Sequence, residues 1–266
     1  MKQAVTLRAL ALAMGALSLI PAALAEEDEK PWSMADEVWG EAAMNASRKA
    51  VVDNHGGTPT SYFQAERFEL QAFDDEDVLL LDGNAWFGND ENKLWLKTEL
   101  EYLPDEGEFE EAEVQALWSH AISPYFDFQA GLRQDFEPEG RTHLVAGFQG
   151  LAPYLFETDT AAFLSDDGDL TARAEVEYEL LLSQRLILQP RAELGFSAQD
   201  IPELETGSGV TSLDAGLRLR YEIKREFAPY IGVEWQKRFG DTADYIEAAG
   251  GASEGTAFVI GLRAWY

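Results

Sequence analysis

The chain has 266 residues, 46% of them hydrophobic, and carries 49 acidic against 20 basic side chains for a formal charge of −29. Such a balance repels nucleic acid and attracts cations, so no nucleic-acid partner is expected. With no cysteine there is neither a disulfide framework nor a thiolate metal site.

Lys2 and Arg8 precede an apolar run over residues 9–20, and Ala23-Leu24-Ala25 offers small residues for cleavage before Glu26. This is the pattern of a secretory signal peptide over residues 1–25. Its loss removes Lys2 and Arg8 from the 20 basic residues, leaving 18 against 49 acidic ones, about −31. Residues 26–61 are polar, lack strand alternation and read as a separate N-terminal arm, partly helical or disordered. Disorder is expected over 26–30. Ser33 with Asp36 caps a short helix running towards Ala50, and Gly56-Gly57-Thr58-Pro59 breaks it. A plug, a partner-docking periplasmic segment and a loose tail all remain open for this arm.

From residue 62 to 266 the apolar residues recur with period two in twelve strand candidates. Clear rows are Leu94, Leu96, Leu100, Tyr102; Ala112, Val114, Ala116, Trp118; and, at the end, Phe258, Ile260, Leu262, Ala264, Tyr266. The interleaved positions are polar, as in Lys97, Glu99, Glu101 and in Arg173, Glu175, Glu177, Glu179. Beyond the leader no run of 18 apolar residues exists, so a membrane helix is excluded and a closed barrel is the remaining way to span a bilayer. A soluble β-sandwich also alternates, but the leader and the terminal aromatic favour the barrel. The expected fold is all-β: a transmembrane antiparallel β-barrel of about 12 strands over 62–266, with a short N-terminal periplasmic arm.

Short links at 88–92, 121–124, 149–153, 183–184 and 224–227 alternate with acidic ones at 74–77, 105–108, 137–140 and 166–169 and two long ones at 198–209 and 241–255. The short links are expected to face the periplasm and the acidic ones the cell exterior, where they would form a negative mouth that concentrates cations. Inside, Arg133, Arg173, Arg185, Arg191, Arg218, Arg220 and Arg263 are expected to pair with Glu99, Glu113, Glu175, Glu177, Glu193 and Glu222 to fill a narrow lumen, with a dedicated metal relay as the alternative.

NKLWLKTE at 92–99, QALWSHAISP at 115–124, GLAPY at 150–154, AEVEYELLLSQRLILQPR at 174–191, GLRLRYEIKREFAPY at 216–230 and FGDTA at 239–243 resemble the copper resistance protein B family. The resemblance spans roughly 62–266. It implies an outer-membrane barrel of a Gram-negative bacterium, no enzyme, acting in copper ion binding, copper resistance and homeostasis. Copper ions and outer-membrane lipid are the implied partners, with a periplasmic copper protein docking through the arm as a further one. Members often carry a Met- and His-rich stretch before the barrel, whereas this arm has Met34, Met44 and His55. On one helix Met34 and Met44 would lie about 15 Å apart, too far to chelate one ion; apolar anchors alongside Val38 are the simpler reading.

Among barrel residues, His143 falls on the inward row of the sixth strand near the outer mouth, with Asp135 on the fifth strand and Asp159 on the seventh as neighbouring acids. Imidazole with carboxylates suits Cu(II). The competing reading is a histidine held within the luminal ion-pair network. His120 falls beside a short turn in outward register, and His55 is a lone imidazole on the arm. Two other functions stay open: a small passive porin for cationic or polar solutes, and an outer-membrane lipid hydrolase. The hydrolase would need Ser, His and an orienting polar residue together on the lipid-facing wall.

Overall fold

The structure is a computed structural model that describes residues 33–55, 58–74 and 76–266. The expected signal peptide and the Gly56-Gly57 break lie outside the described residues. The chain divides into two compact units at Pro59 and Thr60.

In the first unit, a turn of 3-10 helix at Ser33–Ala35 leads into helices Asp36–Trp39 and Glu41–His55. Gly40 interrupts them at φ 84°, a left-handed conformation with no Cβ cost. The second helix runs on to His55, past the expected end near Ala50. Lys49 and Asp53, one turn apart, pair at 2.9 Å, and Arg48 pairs with Asp36. No described helix is long and apolar enough to cross a membrane.

The second unit is a sheet closed on itself. Its strands are β1 Thr60–Ala72, β2 Asp77–Gly88, β3 Asn92–Leu103, β4 Glu108–Ala121, β5 Phe126–Glu137, β6 Thr142–Ala152, β7 Phe156–Ser165, β8 Leu170–Glu177, β9 Leu180–Leu181, β10 Leu186–Ser197, β11 Gly209–Tyr221, β12 Phe227–Arg238 and β13 Glu254–Trp265. Each pairs antiparallel with the next, except that β8 and β9 both pair with β10, and β13 pairs back onto β1. The short β9 continues β8 along β10, so these segments make twelve barrel strands. The register is unbroken across the gap. Tyr178 there faces Pro190, whose missing N–H removes a ladder bond.

Period two sorts the side chains onto two faces. Phe258, Ile260, Leu144, Leu132 and Ile231 point outward and stay exposed, while Leu117, Val145 and Phe163 pack inside against Trp95 and Ala161. Short turns gather at one end. At the other, the 241–255 link expected as plain loop holds a helix, Gly240–Ala249. Thr242 of that helix accepts the Gly207 N–H at 2.8 Å, tying the two long loops together.

Because the sheet closes through residues from Thr60 onward, removing residues 26–59 is expected to leave the barrel folded. Heat-modifiable migration on gels and β-type circular dichroism would check it. Loss of both would show that the arm belongs to the folding unit.

Candidate functional site

Alternation sends a large set of charges into the lumen, where each must find a partner because buried ions lose their hydration. On β5, Arg133 reaches Glu113 at 2.5 Å and Asp135 at 2.5 and 3.2 Å. On β8, Arg173 reaches Glu99 at 2.7 Å and Glu193 at 3.4 Å. Arg67 of β1 shares that Glu99 at 2.9 Å and also holds Asp82 at 2.9 Å, so the chain of pairs runs from β1 through β3 to β8 across the lumen. On the remaining wall Arg218 donates to Glu69 at 2.6 and 2.9 Å and to Glu234 at 2.9 Å. Tyr230 and Gln71 each add a hydrogen bond of 2.8 Å to Glu69, whose residual exposure is 1%.

Towards the turn end the lumen widens into a cavity of about 480 Å³ whose lining reaches Pro124 and Tyr125. Its lysines are engaged: Lys97 pairs with Asp159, and Lys93 with Asp127 at 2.6 Å while lying 5.8 Å from the Trp86 ring centre. At the loop end, Glu76 stands near Asp105, Glu106 and Glu110. Partial burial and those like charges raise its carboxyl above the usual range.

The structure brings His143 and Asp135 together. His143 Nε2 lies 2.9 Å from Asp135 Oδ2, the ring meets Phe163 edge-on at 6.4 Å, and Nδ1 is buried without a hydrogen-bond partner. It places Asp159 elsewhere. His143 faces Ser165 across β6 and β7 while Asp159 faces Gln149, six residues further along β6 and so about 20 Å away. The short expected distance came from treating strand neighbours as neighbours in depth. Met34 and Met44 do not share a helix, being parted by Gly40, and Met34 is exposed. His55 is the last residue of its helix. His120 lies on the outer face, stacked on Trp118 at 5.3 Å, with Nδ1 3.0 Å from Asn92 Oδ1. Of the arginines expected inside, Arg185 instead sits exposed in the turn between β9 and β10, because the strands end before it.

Sequence reading missed Glu66, Arg67, Glu69, Asp82, Glu157 and Glu234. For the β1 residues a signal was present. Phe63 and Phe68 both face outward, five residues apart, an odd spacing that strict alternation forbids. A β-bulge resolves it: the pairing shifts between Ala65 and Arg67 against β2 and between Ala65 and Phe68 against β13.

A closed antiparallel barrel, apolar outside and charge-paired inside, defines a transmembrane β-barrel whose lumen is largely filled. The family model for copper resistance protein B precursor matches residues 60–266. The chain is 42% identical over 229 residues to copper resistance protein B of Escherichia coli and, over the same length, to its homolog in Pseudomonas syringae pv. tomato; each alignment covers 84% of this chain and 77% of the relative. The NanC porin shares the fold at 12% identity with a TM-score of 0.50, over 77% of this chain and 99% of the porin. The KdgM porin aligns at a TM-score of 0.45 and 12% identity, over 78% of this chain and 98% of the porin. This chain belongs to the copper resistance protein B family.

Proposed function

We propose that the barrel acts in copper ion binding and homeostasis at the outer membrane of a Gram-negative bacterium, taking Cu(II) weakly at a luminal site built on His143. The geometry of that ring carries the reading. Metal-bound imidazole is commonly oriented by a carboxylate on one nitrogen while the other meets the ion, and here Asp135 holds Nε2 while the buried Nδ1 has no partner. Asp135 then orients the ring, with Asp159 contributing to a different part of the lumen. The acidic loops, on the exterior face in this reading, raise the local cation concentration. The apolar band meets outer-membrane lipid, and the arm reaches the periplasm as the segment that would meet a periplasmic copper protein.

A passive pore for cationic or polar solutes draws support from the cavity, but the ion pairs crossing the lumen weigh against it. A lipid hydrolase draws none from the His120–Asn92 pair, since the adjacent Ser119 turns inward onto Asp127 at 3.0 Å. A non-enzymatic role is the reading we propose.

Replacing His143 by Ala is expected to weaken Cu(II) binding at least about tenfold, the scale of losing one well-held partner at a metal site. Replacing Met34 and Met44 together should matter less. Calorimetry on purified, folded proteins at one pH and one salt concentration checks it, because imidazole protonation and screening both change apparent affinity. If the His143 variant binds as wild type does while the Met variant loses the ion, the copper ligands are on the arm. Copper-dependent growth of a deletion strain separates copper handling from a pore in which copper is incidental.

A further inference from the structure

One group of luminal carboxylates shares a single arginine, Arg263, at the outer limit of ion pairing. Glu157 on β7 and Glu177 on β8 face each other directly across the ladder, an arrangement that like charges disfavour. Glu66 arrives from β1, where the bulge lets Glu66 and Arg67, consecutive in sequence, both line the cavity. Bulges of this kind recur where a side chain is re-aimed at a site. One oxygen from each of the three carboxylates lies within 4.8 Å of the other two.

The available cation is committed elsewhere. Arg263 pairs with Glu179 at 2.8 Å, and stands 3.8 Å from Glu66 and 4.0 Å from Glu177. Asn84 donates to Glu66 at 3.1 Å. Glu177 Oε1 is buried without a hydrogen-bond partner, on a residue 5% exposed. A second acidic group, Glu99, Glu111 and Glu113, has similar spacing but a different balance. Arg173 reaches all three of its members, at 2.7, 3.5 and 3.4 Å, and Arg133 adds Glu113 at 2.5 Å. That group has two arginines at 2.5–3.5 Å, whereas the first has one, no nearer than 3.8 Å.

We propose that Glu66, Glu157 and Glu177 form a divalent-cation site on the wall of the luminal cavity, holding the ion through carboxylate oxygens. An all-oxygen set suits Mn(II) and similar hard ions, and among first-row divalent ions Cu(II) binds a given donor set most tightly. The cavity leaves space for water to complete the coordination. Glu157 is the second residue of β7, at the turn end, whereas His143 sits at the loop end of β6, so the site does not depend on the reading of His143.

The test uses the full-length protein purified in detergent, stripped with a chelator and titrated with MnCl2, with free Mn(II) followed by electron paramagnetic resonance. One tightly bound equivalent is expected in wild type and in the His143→Ala variant. Glu177→Gln and Glu157→Gln, which keep shape and remove charge, are each expected to weaken binding tenfold or more. Cu(II) at this site should show no nitrogen superhyperfine splitting in the His143→Ala background. Heat-modifiable migration confirms folding, and if Glu177→Gln fails to fold, the exposed Glu157 position decides. Absence of Mn(II) binding to wild type, or unchanged binding in the folded glutamine variants, would overturn the proposal.

Discussion

Deletion of Trp265 and Tyr266 is expected to reduce folded barrel in the membrane to a small fraction of the wild-type amount. These residues complete the seam between β13 and β1. Phe63 donates its N–H to Tyr266 O at 3.0 Å, and Tyr266 returns one to Phe63 O at 2.8 Å. Trp265 pairs in register with Gln64, donates through Nε1 to Arg225 O at 2.7 Å, and sets its ring 5.9 Å from Tyr62. An open edge in lipid leaves backbone groups unpaired at a cost of several kcal/mol each in the bilayer core, so a weakened seam threatens the whole closure. The measurement is the fraction of heat-modifiable protein in membranes, and wild-type amounts after deletion would refute the assignment of this seam.

Replacing Arg218 by Met should destabilise the barrel by about 3–5 kcal/mol, the usual cost of stripping one partner from a buried ion pair. Glu69 and Glu234 would be left as buried carboxylates, Glu69 with only the Tyr230 hydroxyl and the Gln71 amide as donors. Adding Glu69→Gln should recover part of the loss, since it removes one of the stranded charges, and the two changes should be non-additive because their side chains touch. Urea unfolding in lipid vesicles, read by heat-modifiable migration, gives both numbers. A loss below about 1 kcal/mol for Arg218→Met would mean that water reaches the pair and that this wall of the lumen is open.

The strands and their inward and outward faces were readable along the chain, as were the short turns that alternate with long acidic loops. Each rests on a period of two that neighbouring residues report among themselves. His143 and Asp135 were readable as partners for a related reason, lying on adjacent hairpin strands only eight residues apart. The helix at Gly240–Ala249 was not, because a ten-residue segment inside a long loop carries no strand alternation by which to place it.

Pairing across the lumen has no such local record. Glu69 and Arg218 are 149 residues apart and meet only because the sheet closes on itself. Strand tilt and register set how deep each side chain sits, which is why Asp159 lies at the opposite end of the lumen from His143 although their strands are neighbours. The bulge at Glu66 left a mark in the spacing of Phe63 and Phe68, yet which carboxylates it would meet depended on the far wall brought round by closure. Secondary structure here follows from contacts between near residues and the lipid outside them. The chemistry of the lumen follows from which charges a closed barrel forces to share one small volume out of water.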